Sequence, residues 1–261
     1  VKGAVQISGV SKHFEGREGK VVALGQIDLD IATGEFVALI GPSGCGKSTL
    51  LRLIGDLLEP SSGQVSVGGK SAHQARLDRD YGMVFQKATL LDWRSVVANI
   101  ELPLELMDVG RGERAERAKR LIELVKLSEF AHHYPWQLSG GMQQRVAIAR
   151  ALAFQPGVLL MDEPFGALDE MTREHMQMEL MSIWNQTPTT VVFVTHSIPE
   201  AVFLSTRVLV MSPRPGAIIE QIRIDLPQPR VFSTREDPRF FELITKVRES
   251  LRGIEAPHGV A

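Results

Sequence analysis

Phe36-Val37-Ala38-Leu39-Ile40-Gly41-Pro42-Ser43-Gly44-Cys45-Gly46-Lys47-Ser48-Thr49 is the stretch from which the rest of the chain can be read. Five apolar residues without alternation predict a strand buried on both faces, and residues 49–54 predict a helix. Between them, residues 41–48 fit G-x-x-x-x-G-K-[ST] in the strand-to-helix setting that this pattern needs. Its glycines let the backbone curl so that successive N–H groups face a polyphosphate, and the helix N-terminus adds a fixed positive potential. Gly41, Pro42, Ser43, Gly44, Cys45, Gly46, Lys47, Ser48 and Thr49 are therefore the candidate nucleotide-binding residues. Lys47 is expected to reach the β- and γ-phosphates, and the Ser48 hydroxyl to ligate Mg²⁺. Cys45 reads as a small residue filling the loop, because no histidine lies near it in sequence to make a thiolate pair.

Outward from this loop, short β-type runs alternate with longer helix-type patterns, the mark of a parallel sheet with crossover helices. Strands are predicted over residues 27–31, 36–40, 82–86, 158–162, 190–195 and 207–211. Helices are predicted over 113–127, where Ala115, Ala118, Ile122 and Val125 share a face, and over 172–184, with Met176, Leu180 and Ile183 on one side. The methionines there read as core filler. Residues 6–10 and 21–31 alternate as antiparallel strands do, which predicts a small β subdomain ahead of the parallel core. Residues 101–127 read as a helical insertion, and the chain beyond Pro213 as a loop, a strand and a helix over 237–252.

Composition narrows the function. The content of 44% hydrophobic and 23% charged residues suits a packed core and gives no reason to invoke disorder. A formal charge of −2 provides no basic field for nucleic-acid phosphates, so no nucleic acid is expected as partner. With Cys45 as the single cysteine there is no internal disulfide, which is compatible with a reducing cytosol. No stretch approaches the roughly 20 apolar residues that span a bilayer. Any attachment to a membrane is therefore expected to run through a partner.

Val158-Leu159-Leu160-Met161-Asp162-Glu163 is an apolar strand ending in two acids. Adjacent strand residues face opposite ways, so the acids are expected to do different jobs. Asp162 suits a supporting contact to Mg²⁺, and Glu163 the polarising of an attacking water. Taken alone, the pair would equally cap a strand and open a turn at Pro164. Beside the phosphate loop they belong to a site beyond the carboxyl ends of the strands. Gln86 and His196 are predicted to end their own strands at that same edge, within reach of the γ-phosphate, Mg²⁺ or the water; a lone Gln or His is otherwise more often structural.

Leu138-Ser139-Gly140-Gly141-Met142-Gln143-Gln144-Arg145 precedes a predicted helix and resembles the LSGGQ signature of the ABC ATPases. Ser139 and the backbone of Gly140 and Gly141 make a second phosphate cradle at a helix N-terminus. In that family the loop serves the nucleotide of the opposing subunit, so the resemblance implies two chains stacked head to tail around two ATP molecules. It extends over about residues 5–215 in the family's order. Phe14 falls at the aromatic that stacks on adenine, residues 41–49 at Walker A and Gln86 at the Q-loop. Asp162 and Glu163 fall at Walker B and the catalytic glutamate, Ala167-Leu168-Asp169 at the D-loop, and His196 at the switch histidine. The implied metal contacts are Ser48, Gln86 and Asp162, and the implied catalytic groups Glu163, His196, Gln86 and Lys47. Met142 stands where the general signature has Gln, and Gly166 where Ser is common before Ala-Leu-Asp; neither is a phosphate-binding position.

The fold implied is an α/β P-loop NTPase with a mainly parallel central sheet, an N-terminal antiparallel β subdomain and an α-helical subdomain. Residues 1–261 would be one domain, with the helical subdomain at about 88–155 inserted in a RecA-like core and 216–261 a C-terminal extension, too short for the regulatory domain of some sugar importers. Residues 161–169, 195–201 and 211–216 resemble bacterial importers of the nitrate, sulfonate and taurine branch, which also carries pyrimidine-like vitamin precursors. The implied partners are a second ATPase subunit, as a homodimer, two transmembrane permeases and, indirectly, a periplasmic or lipid-anchored solute-binding protein. The implied location is peripheral, at the cytoplasmic face of the cell membrane. In related transporters a short permease helix docks beside the Q-loop; Leu90, Leu91, Trp93 and Val96 are the candidates here, with burial in the helical insertion as the alternative. A GTPase lacks support because there is no N-K-x-D motif. A ribosome or repair role would call for a second cassette or a long coiled coil, and an exporter subunit is the rival within transport.

Overall fold

The strand over residues 36–40 is buried from both sides. Phe36, Ala38 and Ile40 enter one hydrophobic core and Val37 and Leu39 another, which is what a strand covered on both faces requires. The computed structural model describes residues 3–16, 19–166, 168–187 and 189–255; Ala167 lies outside them. In chain order the elements are β1 (Val5–Gly16), β2 (Gly19–Ile31), β3 (Phe36–Ile40), α1 (Lys47–Ile54), β4 (Ser62–Val67), β5 (Lys70–Ser71), α2 (Ala72–Leu77) and β6 (Tyr81–Val84). There follow α3 (Val96–Glu105), α4 (Arg111–Leu124), α5 (Gly140–Leu152), β7 (Val158–Asp162), α6 (Glu170–Gln186), β8 (Thr190–Val194), α7 (Ile198–Leu204), β9 (Arg207–Met211), β10 (Ile218–Arg223) and α8 (Pro238–Glu255).

Two sheets result. The antiparallel one runs β2-β1-β4-β5, and the other runs β10-β9-β3-β8-β7-β6, parallel except for the pairing of β10 with β9. One core joins the inner faces of the two sheets to α1 through Val5, Leu24, Leu39, Leu50 and Val192. The other joins the opposite face of the parallel sheet to α3, α5, α6, α7 and α8 through Ile100, Val146, Leu180, Phe203 and Val247. Each such side chain contributes about 1.5–3 kcal/mol by leaving water. The result is an α/β fold with a mainly parallel sheet and an antiparallel β layer, as the sequence predicts.

The differences lie at edges. The strand predicted to run to residue 86 ends at Val84, the partner of Met161. The next carbonyl, that of Phe85, is taken by Gln144 Nε2 of α5 at 3.1 Å, so Gln86 leaves the ladder and is exposed. The helical stretch predicted from residue 101 begins at Val96, because Ser95 caps it by accepting from the Ala98 N–H at 3.4 Å. Asn99, fully buried, accepts from the Leu91 N–H and donates to the carbonyls of Leu91 and Arg94, tying down the preceding loop. Strand β4 escapes prediction since half of its residues are polar and its pairing partner, β1, is more than fifty positions away. Of the expected permease contacts, Val96 is a core residue and Leu90 packs against the core, whereas Trp93 is 75% exposed.

Candidate active site

The loop between β3 and α1 takes its shape from two glycines. Gly46 sits at φ +107°, strained for any other residue, and a Cβ there would lie 2.5 Å from Leu24 Cδ2 and 3.1 Å from the Ala23 carbonyl of β2. Gly44 has φ +74°. Lys47 follows, nearly buried, with Nζ donating to the carbonyls of Gly41 at 2.8 Å and Pro42 at 3.0 Å. Both bonds lie within the loop, so the ammonium is held over the curl of backbone rather than out in solvent. Cys45 is buried, its Sγ 3.8 Å from the same Nζ, and it fills space as expected.

Ser48 Oγ donates to Asp162 Oδ1 at 2.8 Å, joining the first turn of α1 to the end of β7. A hydroxyl and a carboxylate side by side are hard oxygen donors, the chemistry Mg²⁺ selects; it is held by one or two protein oxygens together with substrate phosphates. Among the described residues no cluster of three or more His, Cys, Asp or Glu could hold a metal by itself, which accords with so sparse a donor set.

Glu163 corrects the sequence reading of its neighbour. β7 ends at Asp162, and Glu163 adopts φ +47°, a left-handed conformation that costs about 1–3 kcal/mol in a non-glycine residue. The turn is held by the Glu163 N–H donating to the Val194 carbonyl at 3.0 Å and by Gly166 N–H donating to the Glu163 carbonyl at 3.1 Å. The two acids diverge because the chain turns, and not through strand alternation. Glu163 Oε2 then lies 3.3 Å from His196 Nδ1, which follows the end of β8.

These parts open on a cleft of about 490 Å³ lined by Phe14, Ser43, Gly44, Gly46, Lys47, Ser48, Thr49, Glu163 and His196, together with Val21, Ala23 and Arg214. Phe14 stands 40% exposed with Lys12 Nζ 5.1 Å from its ring centre. Gln86 does not line the cleft, although its Nε2 would lie 3.1 Å from a Cβ placed on Gly166, beside the Glu163 turn. Ser139, Gly140 and Gly141 do not line it either. Ser139 caps α5 by accepting from the Met142 N–H at 3.3 Å; it and Gly140 are exposed, and Gly141 is pressed against Thr172 of α6. Asp169 is used as the cap of α6, accepting from the Thr172 N–H at 3.0 Å.

Sequence reasoning misses Val21, Ala23 and Arg214 as cleft residues. Arg214 Nε donates to the Gly44 carbonyl at 2.7 Å from the turn after β9. The available signal is the Ser212-Pro213-Arg214-Pro215-Gly216 turn at the end of a predicted core strand, on the edge where such sites form.

A phosphate loop backed by carboxylates at the end of a strand in a mainly parallel sheet defines a P-loop NTPase. The family described as ABC transporter matches residues 24–166. The chain is 48% identical over 259 residues to the taurine import ATP-binding protein of Rhizobium johnstonii, covering 96% of this chain and 97% of that protein. It is 44% identical over 257 residues to the nitrate import ATP-binding protein of Synechocystis sp., covering 96% of each. A solved dimer, the post-hydrolysis state of the ATP-binding cassette MJ0796 bound to ADP and Pi, matches with TM-score 0.73 and 37% identity over 84% of this chain and 98% of that one. The chain belongs to the ABC transporter family and is an ATP-binding, ATP-hydrolysing subunit of it. Among the described residues no helix is long and apolar enough to cross a membrane.

Proposed function

We propose that this chain drives a bacterial importer of a small solute such as taurine, a sulfonate, nitrate or a pyrimidine precursor, hydrolysing ATP in a head-to-tail dimer of two copies. The relatives named for taurine and nitrate import support the solute class. Two transmembrane permeases and, through them, a periplasmic or lipid-anchored solute-binding protein complete the assembly, with this subunit peripheral on the cytoplasmic face. Residues 88–155 act as the helical subdomain and 216–261 as the C-terminal extension.

The observation that carries the mechanism is the meeting of Lys47, Ser48, Glu163 and His196 in one cleft. Phosphate oxygens replace the Gly41 and Pro42 carbonyls as acceptors for Lys47 Nζ, while free N–H groups of the loop and of the first turn of α1 serve the same anion. The Phe14 ring stacks on adenine. Ser48 and Gln86, with Asp162 behind them, would hold Mg²⁺, which would supply positive charge against the transferring phosphoryl group. Glu163 accepts a proton from the attacking water, and His196, 3.3 Å from its carboxylate, fixes that carboxylate in place. Ser139, Gly140 and Gly141 offer their exposed helix N-terminus to the γ-phosphate held by the other copy, so that cleavage removes what joins the two.

Replacing Glu163 with Gln tests this. Turnover should fall roughly 10³-fold with ATP binding intact, and gel filtration with ATP should show a stable dimer. Normal hydrolysis by the variant, or no dimer with ATP, would refute the assignment.

A further inference from the structure

The segment beyond β10 lies outside the matched family region, yet a run of hydrogen bonds through buried Gln177, Glu200 and Thr195 joins it to the turn that carries His196. Arg235, in the 3₁₀ turn at residues 232–236, donates from Nη2 to Gln177 Oε1 of α6 at 2.5 Å. Gln177 Nε2 donates to Glu200 Oε1 of α7 at 2.9 Å. Glu200 Oε2 accepts the hydroxyl of Thr195, whose oxygen in turn accepts the Ser197 N–H at 3.0 Å. The residue between Thr195 and Ser197 is His196. Donation runs from both ends toward Glu200, guanidinium to amide oxygen and amide nitrogen to carboxylate from one side, backbone N–H to hydroxyl and hydroxyl to carboxylate from the other. The direction of each side chain is thereby determined, including the turn on either side of the histidine.

The same segment grips α7 elsewhere. Arg230, 2% exposed, donates to the carbonyls of Val202, Phe203 and Ser205, satisfying the C-terminal end of the helix. The Arg235 guanidinium also stacks 3.8 Å from the Phe203 ring centre. A helix that starts two residues after His196 is thus held at its C-terminal end directly, and at its first turn through Gln177, from a segment some thirty residues further along.

Stability alone is a poor account of this chain. Glu200 is 5% exposed and Gln177 3%, and apolar residues of similar volume usually serve packing as well as or better than buried charge. Burial pushes the Glu200 carboxyl up, against the hydrogen bonds from Thr195 and Gln177 and the charges of Arg173 and His196. What such a polar chain confers is fixed orientation, and it ends on Thr195 and the Ser197 N–H, the two residues that flank His196, which faces Glu163.

We propose that Glu200 and Arg235 are positioning residues for ATP hydrolysis, which fix the turn carrying His196 so that the C-terminal extension sets the alignment of His196 with Glu163. The inference rests on the role given above to His196. Glu200→Gln is the first variant, isosteric but unable to accept both hydrogen bonds as a carboxylate does; Arg235→Ala is the second. In the full chain each should lower kcat roughly tenfold, the order expected for sub-ångström misplacement, with KM for ATP changed less than about twofold. On a His196→Ala background neither should lower the residual single-turnover rate further.

An equal fold-loss on both backgrounds would overturn the proposal, as it would show a general effect on the fold. Unchanged kcat in Glu200→Gln, with His196→Ala strongly impaired, would overturn the positioning role alone. Full turnover by His196→Ala would instead overturn the reading of His196 itself. If Arg235→Ala does not fold, the Glu200→Gln cycle decides the matter by itself.

Discussion

Helix α1 follows the loop capped by Gly46 and α5 opens on Gly140-Gly141, and their surroundings could hardly differ more. The N-terminus of α1 is finished within the chain: a nearly buried lysine hangs over the loop, Ser48 is bonded to Asp162, and Phe14 and Arg214 wall the cleft. The N-terminus of α5 presents Ser139 and Gly140 to solvent outside that cleft, with the serine hydroxyl accepting from the helix's own Met142 N–H. Both supply backbone donors and the same fixed positive end of a helix. Only the first adds a cation, a hydroxyl–carboxylate pair and an aromatic. Helix physics alone therefore supplies half a nucleotide site, and on the reading proposed here the other half belongs to a second copy.

The difference can be broken by exchanging its consequences. Lys47→Ala should have the largest effect on nucleotide binding. A charge-assisted hydrogen bond to phosphate is worth about 1.5–3 kcal/mol, so ATP affinity by equilibrium titration should fall roughly 10–100-fold at any protein concentration. Unchanged affinity would remove Lys47 from the site. Ser139→Ala should leave ATP affinity of the dilute monomer untouched and lower hydrolysis by roughly tenfold. Its thermal unfolding should show a loss of about 1 kcal/mol from the missing cap. Should Ser139→Ala weaken monomer binding as Lys47→Ala does, both loops would serve one nucleotide and the comparison would fail. Phe14→Ala should be mildest, with stacking worth about 1 kcal/mol and ATP affinity down roughly fivefold. A matching loss for triphosphate alone would show that Phe14 does not contact the base.

Much of this is legible in the amino-acid sequence, and the reasons are local. Residues 36–49 specify a buried strand, a curled loop and a helix through consecutive residue types, and the structure has that order. Strands β7 and β9 have the bounds predicted around their apolar runs, residues 158–162 and 207–211. The periodicity locates α6 but cuts it short, since Asp169, which caps it, looks in sequence only like part of the turn. Apolar patterning places Gln86 at a strand end because Phe85 continues the run, while the Phe85 carbonyl is in fact taken by Gln144 from a helix nearly sixty residues away. Alternation is the default after an apolar run and makes Glu163 a strand residue; a left-handed turn leaves no mark on that pattern.

By itself the sequence determined which residues could bind phosphate and carry charge, and at which sheet edge, because contiguous residues impose those features within a turn or two of backbone. Only the tertiary structure decided how Glu163 leaves its strand to meet His196, which side chains close the far wall of the cleft, and that Arg235 is wired through Gln177 and Glu200 to Thr195. Those contacts join residues far apart along the chain. Their strength comes from burial and mutual orientation, and neither quantity exists until the layers have packed.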